Sequence, residues 1–262
     1  MPGLASYPAT GHLAASYVKN RKTVDSSSQL VVVTGGSQGI GRALVERFLR
    51  AGYAVATCAR SAADLGRLQQ ELATLPGRLH TLPADLSQWA DCQHFAAFVA
   101  QLKLPLAALL NNAGAFAPGR LQDEPADGSR LREMLVANLL SAYDITRALL
   151  PTFIAQRQGH IFTICSTASL MAYPNGGSYG IAKFALLGLT KTLREELKTQ
   201  GIRVTAVLPG ATLTRSWDGV GEVPERFIIP EDVAEAVFSA FSLSPQAVVE
   251  EIVIRPQLGD LL

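Results

Sequence analysis

Tyr179 and Lys183 lie four residues apart within the stretch SYGIAKFALLG, residues 178–188, whose other side chains are small or apolar. In a helix, side chains separated by four positions lie on one face, so the phenol and the ammonium group would meet there. A free tyrosine has a pKa of about 10 and exchanges protons poorly at neutral pH, but a neighbouring ammonium group favours the phenolate and lowers that pKa. The pair therefore predicts a tyrosine that transfers a proton as a general acid or base.

Ser166 lies 13 residues before Tyr179, at the end of the apolar stretch HIFTICS. Its hydroxyl would stand at the end of a strand, where it could hold an oxygen atom of a substrate. Taken by itself, a tyrosine four residues before a lysine is more often a structural pair, with the ring packed beneath an exposed ammonium group. Ser166 and a glycine motif further upstream favour the catalytic interpretation.

The stretch TGGSQGIGRAL, residues 34–44, places Gly35, Gly39 and Gly41 between an apolar run and an amphipathic one. Such glycines let the backbone turn sharply and approach an anion, and the N-terminus of the following helix carries positive partial charge. The motif predicts a phosphate-binding loop. The alternative P-loop would need a lysine followed by serine or threonine after the last glycine, and Arg42 is found there instead. A plain glycine turn without a ligand is the second alternative.

Short apolar runs alternate with longer amphipathic ones from residue 30 onward. Near-continuous apolar strands separated by helices are typical of a parallel sheet that is covered on both faces. We therefore predict a doubly wound α/β domain whose chemistry lies at the carboxyl ends of the strands. The predicted strands lie near 30–34, 54–59, 79–84, 106–110, 160–166, 202–209 and 250–254. The predicted helices lie near 39–51, 63–74, 88–102, 129–157, 178–200 and 230–242.

The composition favours one catalytic domain, which we place at residues 30–262. The 262 residues are 48% apolar, which is enough for one large core. Residues 1–29 hold a single acidic residue and no apolar centre, so we predict a disordered extension. An organellar presequence is the alternative for this segment, because it contains Lys19, Arg21 and Lys22 but hardly any acid.

The charge balance argues against a nucleic acid partner or a membrane surface. The net charge is +1, no run of like charge occurs, and no apolar run approaches the roughly 18 residues of a membrane span. The four histidines are scattered and the three cysteines are odd in number. We therefore expect surface or hydrogen-bonded histidines, no metal site and a reducing, cytoplasmic location. A small, neutral molecule is the partner that fits this composition.

Four spaced motifs together resemble the short-chain dehydrogenase/reductase family. They are the G-x-x-x-G-x-G loop, the NNAG tetrapeptide at residues 111–114, Ser166, and the pair of Tyr179 and Lys183. The resemblance covers about residues 30–257. It implies a Rossmann-type parallel sheet of about seven strands, helices on both faces, and a nicotinamide cofactor that carries a hydride.

The resemblance also implies the catalytic roles. Tyr179 would be the general acid in reduction, Lys183 its electrostatic partner that also contacts the nicotinamide ribose, and Ser166 the donor that orients the carbonyl. Asn138 matches the family's fourth catalytic residue, which helps to hold a water in a proton relay toward the lysine. From its residue type alone, Asn138 could equally tie its helix to neighbouring backbone, because a buried amide needs hydrogen bonds.

A set of cofactor-binding residues is implied in the loops that follow the strands. Asp85 would contact the adenine ring, although it could instead cap the next helix. Thr212 and Thr214 would lie near the carboxamide end of the nicotinamide, although a Pro-Gly turn needs no ligand to explain it. The full set is Gly35, Ser37, Gln38, Gly39, Ile40, Gly41, Arg60, Asp85, Leu86, Asn112, Ala113, Gly114, Tyr179, Lys183, Pro209, Gly210, Thr212 and Thr214.

The end of the second strand predicts NADP(H) as the coenzyme. NAD-binding sheets carry an acidic residue about 20 residues beyond the glycine motif, and it binds the ribose 2′-hydroxyl. Ala59 stands at that position and Arg60 follows it, and a guanidinium group can pair with the 2′-phosphate of NADP. A solvent-exposed arginine without a ligand is the alternative. Gln38 stands where many NADP-binding relatives carry a second basic residue.

The substrate side is predicted at residues 214–228, where Trp217 could lie over a flat ring or an acyl chain or simply cover the core. The stretch VVEEIVIRPQLGDL near the C-terminus is similar to family members of the sepiapterin reductase-like and 3-hydroxy acid dehydrogenase-like types. We therefore expect a reductase that converts the carbonyl of a small to medium ketone, diketone or pterin side chain to an alcohol. The alternatives are a 3-oxoacyl-carrier-protein reductase and a non-catalytic NADP(H)-binding redox sensor.

The oligomeric state is predicted from the helices near 129–157 and 178–200. They carry apolar residues on more than one face, and one sheet cannot cover them all. Related proteins pair through these helices, so the resemblance implies a homodimer or homotetramer.

Overall fold

The computed structural model describes residues 26–217, 221 and 223–261. In this part of the chain, seven parallel strands form one sheet in the order β3-β2-β1-β4-β5-β6-β7. The strands are β1 (Leu30–Thr34), β2 (Ala54–Ala59), β3 (Leu79–Pro83), β4 (Leu106–Asn111), β5 (Gly159–Ile164), β6 (Ile202–Pro209) and β7 (Glu251–Ile254). The strand order reverses between β1 and β4, which leaves a crevice at their carboxyl ends. The predicted doubly wound α/β sheet is confirmed.

Helices cover both faces of the sheet. They are α1 (Gly39–Arg50), α2 (Ala62–Glu71), α3 (Trp89–Gln101), α4 (Ser129–Leu135), α5 (Ser141–Gln156), α6 (Gly177–Leu197) and α7 (Pro230–Phe241). The prediction of one continuous helix over 129–157 is wrong in detail, because a π-helical turn, Val136–Leu140, separates α4 from α5. Such a turn adds a residue without interrupting the apolar pattern, so the sequence looks like a single helix. None of the described helices combines the length and the apolar character that crossing a bilayer requires.

The predicted N-terminal extension lies mostly outside the described residues, which begin at Ser26. Ser26–Ser28 form a 3₁₀ turn, and the carbonyl of Ser26 accepts a hydrogen bond from the N–H of Gln29 at 3.1 Å. Regular structure therefore begins a few residues before the boundary predicted at residue 30.

Side chains of the sheet alternate between two apolar cores, one on each face. Val31 of β1 belongs to the core that contains Phe48 of α1. Val32, the next residue, belongs to the other core, together with Phe95 of α3 and Phe153 of α5. All five side chains are fully buried, with 0% exposure. Since both faces are covered, the strands can be apolar at nearly every position.

His160 is a polar residue inside the sheet, near the start of β5, with 0% exposure. Its ring stacks on Phe162 with 3.8 Å between centroids, and its Nε2 lies 2.7 Å from Oγ1 of Thr205. The Thr205 hydroxyl donates its own proton to the carbonyl of Val249 at 2.6 Å, so Nε2–H is the donor and Nδ1 carries no proton. His160 is thus hydrogen-bonded through Nε2, as expected, while its Nδ1 has no partner among the described residues. Burial, assisted by the charge of Arg203, lowers the pKa of His160 to about 2.

We expect His160 to make the fold sensitive to acid. Its pKa is about 2 in the folded chain and 6.5 ordinarily, so between these values only the unfolded chain binds the proton. The stability that depends on this residue is therefore fully present above pH 6.5 and is lost as the pH falls below that value. The loss amounts to ~1.4 kcal/mol per pH unit.

The His160→Gln variant tests this expectation, because glutamine can still donate to Thr205 but does not titrate. Chemical denaturation of both proteins at about pH 7.5 and about pH 5 measures the free energy of unfolding, and the wild type should lose about 2 kcal/mol more than the variant. Equal pH dependence of the two proteins would contradict the prediction.

Candidate active site

Hydrogen bonds join the carboxyl ends of β1 and β4 at the centre of the crevice. Oγ1 of Thr34 accepts hydrogen bonds from the backbone N–H groups of Asn112 and Ala113, each at 2.9 Å. The side chain of Asn112 donates back to the carbonyls of Thr34 at 2.9 Å and Gly35 at 3.1 Å. The NNAG tetrapeptide thus braces the start of the glycine loop. Thr34 is a site residue that no spacing in the sequence indicates.

The glycine loop runs from Gly35 into the first turn of α1 and is shaped to admit an anion. Gly35 has a φ of +68°, which favours glycine. A Cβ atom at Gly41 would lie 2.2 Å from the carbonyl oxygen of Gly35, so a larger residue could not pack there. Gln38 precedes α1 without a side-chain capping bond. The N–H groups of the first helical turn are therefore available to a ligand.

The segment after β6, residues 209–214, reaches the glycine loop at Thr214. Its Cγ2 lies 3.0 Å from the position that a Cβ atom of Gly39 would occupy. Thr212 is buried instead, and its hydroxyl donates to the carbonyl of Gly210 at 3.0 Å. The structure therefore brings Thr214 to the predicted phosphate loop, while the hydroxyl of Thr212 holds the Pro-Gly turn itself.

The edge of the crevice at β2 and β3 carries the residues predicted to bind adenosine. Arg60 follows β2, is exposed, and forms no ion pair with any described residue. The carboxylate of Asp85 accepts a hydrogen bond from the N–H of Ser87 at 3.0 Å, in the loop before α3, whose N-cap is Gln88, so Asp85 does not cap the next helix as in the alternative. Leu86 is buried in the core with 6% exposure, so a ligand could contact its backbone but hardly its side chain.

Ser166, Tyr179 and Lys183 come together beyond the end of β5. Ser166 follows β5, while Tyr179 and Lys183 lie in the first two turns of α6. The side chain of Ser166 lies near enough to the phenol of Tyr179 to lower its pKa. Nζ of Lys183 donates to the carbonyl of Ile164 at 3.1 Å and lies 5.8 Å from the centroid of the Tyr179 ring. The three predicted residues form one cluster.

The pKa of Tyr179 differs from the prediction. Burial raises it to about 12, and the nearby side chain of Ser166 lowers it only in part. Burial also lowers the pKa of Lys183, which is 7% exposed, to about 8. The expectation that the ammonium group lowers the pKa of the tyrosine is therefore wrong for this structure. Removing the phenol from water outweighs the effect of a charge held near its ring.

Asn138 lies in the π-helical turn between α4 and α5 and is 1% exposed. Its Oδ1 accepts from the N–H of Ala115 at 3.2 Å, and its Nδ2 donates to the carbonyls of Ala115 at 3.0 Å and Met134 at 3.1 Å. A Cβ atom at Gly114 would lie 2.7 Å from Oδ1 of Asn138 and 3.8 Å from Nζ of Lys183. Asn138 therefore lies near Lys183. Its side chain is hydrogen-bonded to backbone groups, which is the alternative of an amide that ties its helix to neighbouring backbone.

An aromatic wall, which we define as Phe116, Trp217 and Phe227, lies beside the phenol. The ring of Phe116 meets that of Tyr179 edge to face, with 5.0 Å between centroids. Trp217 lies 5.4 Å from Phe116 and 5.3 Å from Phe227. The sequence singled out Trp217 but not the two phenylalanines, because neither belongs to a spaced motif.

A polar network joins the loop after Ser166 to the segment after β7. The hydroxyl of Tyr173 donates to Oδ2 of Asp260 at 2.7 Å and lies 3.1 Å from Oγ1 of Thr167. Nη1 of Arg255 pairs with the same Asp260 oxygen at 2.5 Å. Tyr173 and Asp260 are 87 positions apart, so no local pattern could predict this contact.

Among the described residues, no three His, Cys, Asp or Glu side chains are grouped so that they could hold a metal ion. The three cysteines are free and buried, and burial raises the pKa of Cys58 to about 12 and the pKa values of Cys92 and Cys165 to about 11. A groove between α3 and α5 lies at the opposite end of β4 and has no titratable side chain in its lining.

A doubly wound parallel sheet with a glycine loop at its switch point, and a serine, a tyrosine and a lysine clustered beside it, defines a dinucleotide-dependent oxidoreductase. The model of the short chain dehydrogenase family matches residues 29–223. The chain therefore belongs to the short-chain dehydrogenase/reductase family, as its four motifs predict.

Individual relatives resemble the chain over nearly their whole length. The sepiapterin reductase of Chlorobaculum tepidum is 32% identical over 240 residues, which cover 88% of this chain and 98% of that protein. The alcohol dehydrogenase of the archaeon Thermococcus sibiricus, solved in complex with 5-hydroxy-NADP, has a TM-score of 0.81 and 28% identity, covering 87% of this chain and 97% of that one. A 7α-hydroxysteroid dehydrogenase was solved with NADH and 7-oxo glycochenodeoxycholic acid. It has a TM-score of 0.80 and 25% identity, covering 90% of this chain and 95% of that one.

Proposed function

We propose that the protein is an NADP(H)-dependent reductase that converts the carbonyl group of a small to medium molecule to an alcohol. The observation that carries this proposal is the cluster of Ser166, Tyr179 and Lys183, at the end of the sheet where the glycine loop lies. A redox sensor would need the glycine loop but would have no use for a proton donor beside it.

The residues of the crevice fit the proposed cofactor. The uncapped first turn of α1 and the close packing at Gly41 suit a pyrophosphate, and Lys183 and Asn138 lie at the other end of the same crevice. When bound, the cofactor supplies the hydride. The protein supplies the orientation of the substrate and the proton.

Tyr179 is the proposed proton donor. With a pKa of about 12 its phenol is protonated at neutral pH, as a general acid in reduction requires. Ser166, whose side chain lies near the same phenol, holds the carbonyl oxygen next to that proton. The ammonium group of Lys183 stabilises the negative charge that develops on the phenol as the proton leaves. The carbonyl of Ile164, which accepts from Nζ, keeps Lys183 in place.

Arg60 is the proposed determinant of the coenzyme. The structures similar to this chain include one with an NADP analogue and one with NADH, so the fold alone does not select the coenzyme. Arg60 is exposed beside the crevice, and Ala59 removes the carboxylate that would repel a 2′-phosphate. A guanidinium group binds that phosphate through charge-assisted hydrogen bonds.

The substrate class is proposed from the aromatic wall. Phe116 contacts Tyr179, so a substituent next to the reacting carbonyl would lie against Phe116 and Trp217. Such a wall suits a flat ring or a diketone better than a charged group. The sepiapterin reductase relative agrees with a pterin side-chain carbonyl as one member of this class.

A second copy of the chain is the proposed partner. The outer faces of α5 and α6 expose large apolar side chains, among them Tyr143, Ile181 and Phe184, the last with 46% exposure. Large apolar side chains exposed together on a surface are typical of protein interfaces. We propose that these helices pair in a homodimer or a homotetramer.

The Tyr179→Phe variant tests the proton donor. We expect its turnover of the best substrate from a panel of ketones, diketones and pterins to fall by about 10²- to 10⁴-fold. Its dissociation constant for NADPH should stay within about two-fold, because the ring and its packing remain. Tyr53→Phe, at the opposite end of the sheet, is the matched control and should keep full activity. Near-normal turnover in Tyr179→Phe would refute the mechanism.

The Arg60→Ala variant tests the coenzyme. A hydrogen bond to a charged group contributes ~1.5–3 kcal/mol, so we expect NADPH to bind roughly 10- to 150-fold more weakly and NADH to change little. The measurement is the ratio of the two dissociation constants. Arg67→Ala, an exposed arginine of α2 that pairs with Asp64, is the control. If the variant binds both coenzymes equally more weakly, or if the wild type prefers NADH, Arg60 does not determine the coenzyme.

Light scattering tests the assembly. We expect a dimer or a tetramer at micromolar concentration, and a shift to monomer in the double variant Tyr143→Lys, Phe184→Lys, because two charges would have to be buried in the interface. Trp89→Lys, at an exposed apolar residue of α3, should leave the assembly unchanged. A wild type that is only monomeric would contradict the proposal.

A further inference from the structure

The first turn of α6 carries Tyr179 but lacks a cap of its own. The helix begins at Gly177, and the preceding Gly176 has no side chain with which to accept a hydrogen bond. The first N–H groups of a helix have no partner inside the helix. The turn that holds the proposed proton donor therefore needs an acceptor from elsewhere in the chain.

Glu124 supplies that acceptor from a different loop. One carboxylate oxygen accepts a hydrogen bond from the N–H of Ser178 at 2.8 Å, and the other accepts one from the Ser178 hydroxyl at 2.5 Å. Ser178 is completely buried and directly precedes Tyr179. A carboxylate at this end also interacts favourably with the helix dipole. The Ser178 hydrogen bonds lower the pKa of Glu124, so its charge is retained at neutral pH.

The two segments approach so closely that glycine is required between them. Gly177 has a φ of +42°, and a Cβ atom there would lie 2.4 Å from the carbonyl oxygen of Gly119 and 2.6 Å from Oε1 of Glu124. The N–H of Gly119 donates to the carbonyl of Asn175 at 2.9 Å. Three hydrogen bonds thus tie residues 119–124 to the start of α6.

The same loop also contacts the ring of Tyr179. Phe116 lies a few residues before Gly119, and its ring stands at 88° to that of Tyr179. The loop that carries Glu124 therefore contacts both the backbone turn and the side chain of the proposed proton donor.

We propose that Glu124 is a positioning residue that holds the first turn of α6, and with it the phenol of Tyr179, in the orientation for proton transfer. The inference rests on the proposed function, in which Tyr179 donates the proton. Displacing a reacting group by about 1 Å can cost about 10²-fold in rate, so a loose first turn would slow turnover without loosening cofactor binding.

Glu124→Ala and Glu124→Gln are the test variants. We expect Glu124→Ala to lower kcat by about 10- to 100-fold while the dissociation constant for NADPH stays within about two-fold. The kcat of Glu124→Gln should lie between those of Glu124→Ala and wild type. Its amide oxygen can still accept from the Ser178 N–H, but the charge is lost. Asp123→Ala removes the neighbouring carboxylate, which pairs with Arg120 at 3.6 Å, and should retain wild-type kcat.

Hydrogen exchange of the amides at residues 178–181 tests the tether without relying on activity. We expect faster exchange in Glu124→Ala than in wild type or Asp123→Ala, at a temperature where all three are folded. Unchanged exchange would overturn the tether, and faster exchange with a wild-type kcat would overturn the positioning role. If Tyr179→Phe retains activity, the proposed function fails, and with it the role in proton transfer, whereas the exchange result still decides whether Glu124 holds the turn.

Discussion

The buried ammonium group of Lys183 is the constraint on which the site depends. It extends from α6 into the interior, and burial is the main cause that lowers its pKa to about 8. The charge is tolerated because Nζ donates to the carbonyl of Ile164, and Gly114 leaves room for the side chain of Asn138 nearby. Cys165 gives little help, since burial keeps its thiol protonated. The surrounding polar groups are therefore arranged to keep one cation in place.

Backbone groups perform much of this arrangement. The side-chain amides of Asn112 and Asn138 both donate to main-chain carbonyls. That of Asn112 joins the ends of the central strands β1 and β4, and that of Asn138 joins the π-helical turn to its neighbours. Because an unpaired polar group in the core is costly, these side chains fix the loops around them. In the proposed mechanism, Ser166 and Tyr179 carry the chemistry.

The sequence allowed good prediction where function depends on local spacing, and poor prediction where it depends on burial or distant contacts. The glycine loop and the tyrosine–lysine pair are short patterns on single elements, so their positions could be predicted. The pKa of Tyr179 was predicted in the wrong direction, because the sequence shows a charged neighbour but not the loss of water. The π-helical turn at Asn138 does not disturb the apolar pattern, and the contact of Glu124 with Ser178 spans 54 positions.

The brace between Thr34 and Asn112 has a consequence for biosynthesis. The two residues are 78 positions apart, and a ribosome adds about 5–20 residues per second, so the glycine loop emerges on the order of 4 to 16 s before its partner. During that interval the nascent chain contains the phosphate-binding sequence without the amide that secures it. Pairing of β1 with β4 is also a long-range step, and such steps are slow in folding. A growing chain would therefore become able to bind its coenzyme only once the fourth strand has been made.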